Sequence, residues 1–115
     1  FAFMESIRQQ KVARLLLKEL SNIFQKETHA LLGNVILTIT KVRISPDLSF
    51  TKVYISIFPI EDPKSALKIV ASNTKMIRRL LGQSVRNQLR IVPELQFYID
   101  DSAEYADEIE RLLKK

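Results

Sequence analysis

Residues 71–79, ASNTKMIRR, decide whether the second half of this chain holds one long helix or two. Asn73 and Thr74 are residue types that cap helices, and an apolar-periodic run follows them. Yet the first turns after the cap carry Lys75, Arg78 and Arg79. A helix start is the positive end of the helix dipole and favours acids. If the helix breaks at Asn73, the free N–H groups near Thr74 form an anion site, and a phosphate there satisfies dipole and cations together. If it runs straight through residues 64–88, no such start exists. Asn tolerates the left-handed conformation of a sharp kink, so a break is expected.

Working outward, residues 73–89 (NTKMIRRLLGQSVRNQL) form a helix with a charged face. At about 100° per residue, Lys75, Arg78, Arg79, Gly82 and Arg86 share one arc, with Ile77, Leu80, Leu81 and Ser84 opposite. Lys75 to Val92 holds five bases, the last of them Arg90, and no acid. Gly82, one of two glycines, sits inside the basic arc, where it costs about 1 kcal/mol relative to Ala. Two readings of Gly82 stand side by side. It admits a sugar-phosphate backbone between flanking bases, or it admits another part of this protein.

On the other side of the break, EDPKSALKIVAS begins a helix with Asp62 as cap and Pro63 as first helical residue. Further back, FTKVYISIF (50–58) alternates Val53, Ile55 and Ile57 with Lys52, Tyr54 and Ser56, the pattern of a strand with one buried face. VILTITKVRIS (35–45) is β-branched and strand-like, and SPDLS (45–49) reads as the turn of an antiparallel hairpin. Residues 5–27 show helical periodicity in Ala13, Leu16, Leu17, Leu20, Ile23 and Phe24, and Gly33 is a stop signal after THALL. Arg8, Lys11, Arg14 and Lys18 fall on the opposite side of that helix, all of one sign, as a solvated face or a secondary RNA- or partner-binding surface. Toward the C-terminus, RIVPELQFYID carries a last strand with Leu95, Phe97 and Ile99 on one face and Pro93 at its start. SAEYADEIERLLKK reads as a short acidic helix.

The order is α-β-β-α-α-β with an extra α. It predicts an α+β fold, one three-stranded sheet covered on one face by helices. The 115 residues suit a single domain, core about 5–101, with 102–115 as the terminal helix. The chain begins with Phe1, which fits either a preceding segment or a start near Met4.

Charge is uneven. Residues 1–99 hold 15 of the 18 bases and seven of the 13 acids, a net of +8 against +5 for the whole chain. A body that basic suits a polyanionic partner. There is no cysteine, hence no thiolate metal site or thiol nucleophile. The single histidine, His29, reads as a surface residue, and the adjacent Asp100 and Asp101 as a strand end and a helix cap. Phosphate-binding glycine loops are absent. No catalytic residue, metal ligand or cofactor is expected. No apolar run nears the roughly 20 residues of a membrane span, and no signal peptide is visible. Phe24 and Phe97 read as core, and Tyr54 and Tyr98 as residues of the outer sheet face.

Three runs, QQKVARLLLKEL, SPDLSFTKVYISIF and IRRLLGQSVRNQLRIVPELQFYIDDS, together resemble the bacterial ribosome-binding factor A family. The resemblance covers roughly residues 5–102, and LRIVPEL after IRRLLG is its most specific part. It implies a type-II KH fold and a non-catalytic, cytoplasmic assembly factor, monomeric when free. Such a factor binds rRNA of the immature small ribosomal subunit, with ribosomal proteins as further contacts. It supports late rRNA maturation, leaves before translation, and matters for growth at low temperature. The family replaces the Gly-x-x-Gly loop of KH domains by an interrupted helix carrying Ala-x-Gly. Here Ala71 and Ser72 match, and Asn73 stands where Gly is the pattern. The implied RNA-binding set is Ser72, Asn73, Thr74, Lys75, Arg78, Arg79, Gly82, Arg86 and Arg90. The competing reading is a protein-interaction module docking through its first or last helix, with no direct RNA role.

Overall fold

The structure, a computed structural model, describes residues 5–59 and 62–100. The acidic terminal helix expected at 102–115 lies outside the described residues. Helix α1 spans Ile7–Leu32, β1 Ile36–Ile44, β2 Phe50–Phe58, α2 Pro63–Ser72, α3 Thr74–Val85 and β3 Glu94–Ile99.

A capping box starts α1: Gln9 N–H donates to Ser6 Oγ (3.1 Å) and Ser6 N–H to Gln9 Oε1 (2.8 Å). Buried Gln9 also donates through Nε2 to the Ile44 carbonyl (3.0 Å), tying the helix start to the end of β1. The helix continues five residues past the predicted end at residue 27. Thr28 does not stop it, because its buried hydroxyl bonds back to the Phe24 carbonyl, so the helix accommodates it. Gly33 then ends it at φ 83°, its N–H donating to the His29 carbonyl. His29 is exposed, as expected.

The sheet order is β1-β2-β3, with β1 antiparallel and β3 parallel to the central β2. The strands match their predicted positions, β1 being one residue shorter at each end than 35–45. A bulge between Ile39 and Lys41 shifts the β1 register, which turns Lys41 and Arg43 to the same face as Tyr54 and Lys52. The inward residues Ile39, Ile44, Val53, Ile55, Ile57, Leu95 and Phe97 pack with Leu16, Leu20, Phe24, Val70, Ile77, Leu81 and Val85 from the helices. Phe24 and Phe97 meet edge to face, centroids 5.8 Å apart. One sheet face is therefore core, as the alternation in 50–58 predicted, and among the described residues no element covers the other.

Asp62 and Pro63 begin α2 as expected: Ser65 N–H donates to Asp62 Oδ1 (3.2 Å) and Ser65 Oγ to Oδ2 (2.7 Å). These bonds, the hydroxyl's first, hold the Asp62 carboxyl below its usual range. The helix breaks at Asn73, and α3 ends at Val85, four residues before the predicted end at 89.

Candidate nucleic-acid interface

The break is a single residue. Asn73 sits at φ −104°, ψ 15°, so the kink does not use the left-handed conformation the sequence suggested. A one-residue interruption in the bridge region suffices. The side chains around it turn backward onto α2. Asn73 Nδ2 donates to the Ile69 carbonyl (2.7 Å), Ser72 Oγ to Lys68 O (2.9 Å), and Thr74 Oγ1 to Ala71 O (2.7 Å). All three serve the carbonyl end of α2. The cap expected from Asn73 or Thr74 at the start of α3 is therefore not made: that start has no side-chain cap and no acid in its first turn.

The basic arc divides into two parts. Lys75, Arg79, Arg86 and Arg90 are exposed, with Arg86 just past the helix end and Arg90 in the irregular segment before β3. Arg78 is turned inward. Its Nε donates to Pro93 O (3.0 Å) and its Nη2 to Val92 O (2.8 Å), and Nη1 lies 3.7 Å from Glu94 Oε1. It clamps the start of β3. Gly82 likewise faces the protein: a Cβ there would sit 3.2 Å from Val92 Cγ2. Of the two readings of Gly82, the geometry accounts for the second, close approach by another part of this protein, the Val92 side chain. Ser84, placed on the apolar side of the wheel, is exposed and donates to the Leu80 carbonyl.

Beside the break lies a groove of about 610 Å³ between α2 and β3, lined among others by Asp62, Lys64, Lys68, Ala71, Thr74 and Gln96. Lys64 and Lys68 extend the exposed cations of α3 onto α2. The sequence signal is their i, i+4 spacing, ahead of the longer basic run after Asn73. On α1, Arg8, Lys11, Arg14 and Lys18 are all exposed. Among the described residues, no group of His, Cys, Asp or Glu could hold a metal ion, and no helix is long and apolar enough to cross a membrane.

The sum, among the described residues, is a helix start with no side-chain cap and no acid in its first turn, beside exposed Lys75 and Arg79, an arrangement suited to phosphates. The family model described as ribosome-binding factor A matches residues 8–113. A ribosome-binding factor A from Cytophaga hutchinsonii is 53% identical over 112 residues, covering 97% of this chain and 84% of that protein. The crystal structure of ribosome-binding factor A from Thermus thermophilus superposes with a TM-score of 0.67 at 24% identity, over 79% of this chain and 94% of that one. A homology model of the Thermus thermophilus factor, fitted into a cryo-EM map of a 30S–RbfA complex, gives 0.65 at 24% identity, over 85% and 97%. The shared architecture is the KH-like α+β fold.

Proposed function

Because this chain belongs to the ribosome-binding factor A family, we propose that it is a non-catalytic factor that binds the immature small ribosomal subunit by gripping rRNA phosphates at the Asn73 break. It supports late rRNA maturation and leaves before translation. It works in the cytoplasm as a monomer, without cofactor. The 30S complex of the Thermus relative supports the choice of target. The observation that carries the reading is the uncapped start of α3 with Lys75 and Arg79 exposed beside it. Arg86 and Arg90 continue the surface along one side, and Lys64 and Lys68 continue it across α2. Backbone N–H groups and flexible cations recognise phosphate and shape rather than base identity. Ser72, Asn73 and Thr74 contribute through the backbone they hold in place. Arg78 and Gly82 contribute by setting the position of α3 against β3.

The test is co-sedimentation of the Lys75→Glu, Arg79→Glu double variant with immature and mature small subunits and whole ribosomes over a salt series. The wild type is expected to bind small subunits and to lose them as salt rises. The variant is expected to release them at every salt concentration while unfolding at the wild-type temperature. Wild-type binding by the variant would remove this surface from the interface. Arg78 is left alone in this test, because its reversal breaks the clamp on β3.

A further inference from the structure

The open face of the sheet carries an ordered ladder that the basic break does not involve. Tyr54 of β2 and Tyr98 of β3 are register partners. Their rings stack, with centroids 5.5 Å apart and planes 27° from parallel. Lys41 of β1 is the partner of Tyr54 on the other side, its ammonium 5.8 Å from the Tyr54 centroid. Strands β1 and β3 flank β2, so cation and ring occupy opposite faces of Tyr54. Lys41 reaches this position only because of the bulge, where the Thr40 hydroxyl donates to Asp100 Oδ2 (2.5 Å) and lies 3.2 Å from the Tyr54 carbonyl. The next row of the face is Arg43, Lys52 and Gln96. Along β2, exposed Lys52 and half-buried Ser56 alternate with the outward aromatics Phe50, Tyr54 and Phe58, the last 72% exposed. Among the described residues, the acids on this face are Glu94, 3.7 Å from Arg78, and Asp100, which accepts from Thr40.

The geometry points to a stacking platform for a single-stranded RNA segment, with a base on the outward face of Tyr98 and phosphates on Lys41 and Lys52. Among the described residues β3 is the sheet edge, so the ladder Lys41–Tyr54–Tyr98 ends at the half-exposed ring of Tyr98. A base continues the stack, and every base has a face to offer. The cations decide the occupant. Protein interfaces exclude charge from their centre, whereas here Lys41 lies over the Tyr54 ring and Arg43 and Lys52 form the adjacent row. Aromatics interleaved with bases fit a polymer of flat rings joined by phosphates. The platform rests on the proposed function only for the choice of RNA, and it is tested without ribosomes.

The chain has no tryptophan, so its intrinsic emission comes from Tyr54, Tyr98 and Tyr105, and quenching that disappears with Tyr54 or Tyr98 reports stacking on the platform. The probe is a labelled ten-nucleotide oligouridylate, followed by anisotropy and by tyrosine quenching at low salt. Wild type is expected to bind and quench. Tyr98→Leu and Tyr54→Leu are each expected to weaken binding about tenfold, within the range for one base stacked on an aromatic ring. Tyr98→Phe keeps the ring and should bind as wild type does. The exposed pair Lys41→Gln, Lys52→Gln leaves both rings in place and should lower the salt slope by about two. The Lys75→Glu, Arg79→Glu protein should still show ring-dependent quenching, which separates this surface from the one at the break. The platform is overturned if wild type does not bind the oligonucleotide, or if the Leu and Gln variants bind it unchanged. It is also overturned if those variants keep the oligonucleotide but lose small subunits, which would assign the face to a protein.

Discussion

Asp47 shows how much one exposed side chain can organise. Its Oδ1 accepts from Ser45 Oγ (2.7 Å), Ser49 Oγ (2.7 Å) and Ser49 N–H (3.1 Å), closing the β1–β2 turn. These bonds, that of the Ser45 hydroxyl foremost, lower its pKa from 3.8 to about 2. A carboxyl depressed in the folded state stabilises fully above its unfolded pKa, and that stability is lost as pH falls through the folded one. Melting temperature is therefore expected to fall between about pH 4 and pH 2, and Asp47→Asn to flatten that limb in a pH series of thermal melts. Thr51 offers the opposite case. It is fully buried on the inner face of β2, and its hydroxyl has no hydrogen-bond partner among the described residues. Thr51→Val removes an unpaired buried polar atom at constant shape, so a gain of about 1 kcal/mol in denaturant unfolding is expected. Gly82 is coupled to Val92 by the 3.2 Å approach of its missing Cβ. Gly82→Ala should stabilise by up to about 1 kcal/mol in a Val92→Ala background, and by less with Val92 present. A double-mutant cycle reads the difference.

At the scale of elements, the signals that could be read were local. Asp62-Pro63 announced α2, and the alternation in 50–58 announced β2 with its buried face, because a cap and a period of two are written within a few residues. What escaped reading depends on partners remote in sequence. The β1 bulge exists only against β2, so the turning of Lys41 and Arg43 to the open face could not be seen in VILTITKVRIS. Arg78 looked like one cation among five, yet the carbonyls it serves lie 14 and 15 residues away. A helical wheel places a residue on a side; it does not say what packs there. The same limit hid the role of Gln9, whose partner Ile44 is 35 residues distant. Gln9→Leu removes the side-chain half of the capping box and that buried bond, leaving the Ile44 carbonyl without it. A loss of about 2 kcal/mol is expected in denaturant unfolding.

For the whole molecule, the described surfaces divide by role. One side of the sheet builds the core with the helices, the α2–α3 junction concentrates cations, and the open sheet face carries rings and bases. Electrostatic surfaces of this kind act over about 10 Å at 0.1 M salt. The slope of log affinity against log salt for small subunits is expected to shrink by roughly one for each phosphate contact removed from Lys75, Arg79 or Arg86. Titration of the single variants by co-sedimentation measures it.

The pairing of the sheet also sets an order of events. Strand β2 finds β1 across a short turn, but its other edge waits for β3, which follows two helices and the segment clamped by Arg78. As the chain emerges during its own synthesis, the hairpin can close while that second edge of β2 still has open hydrogen-bonding groups. Non-local parallel pairing is slow, and an open edge invites pairing with another chain. A nascent chain that pauses before Glu94 thus presents an unfinished sheet, and its last strand is the step that makes it safe to release.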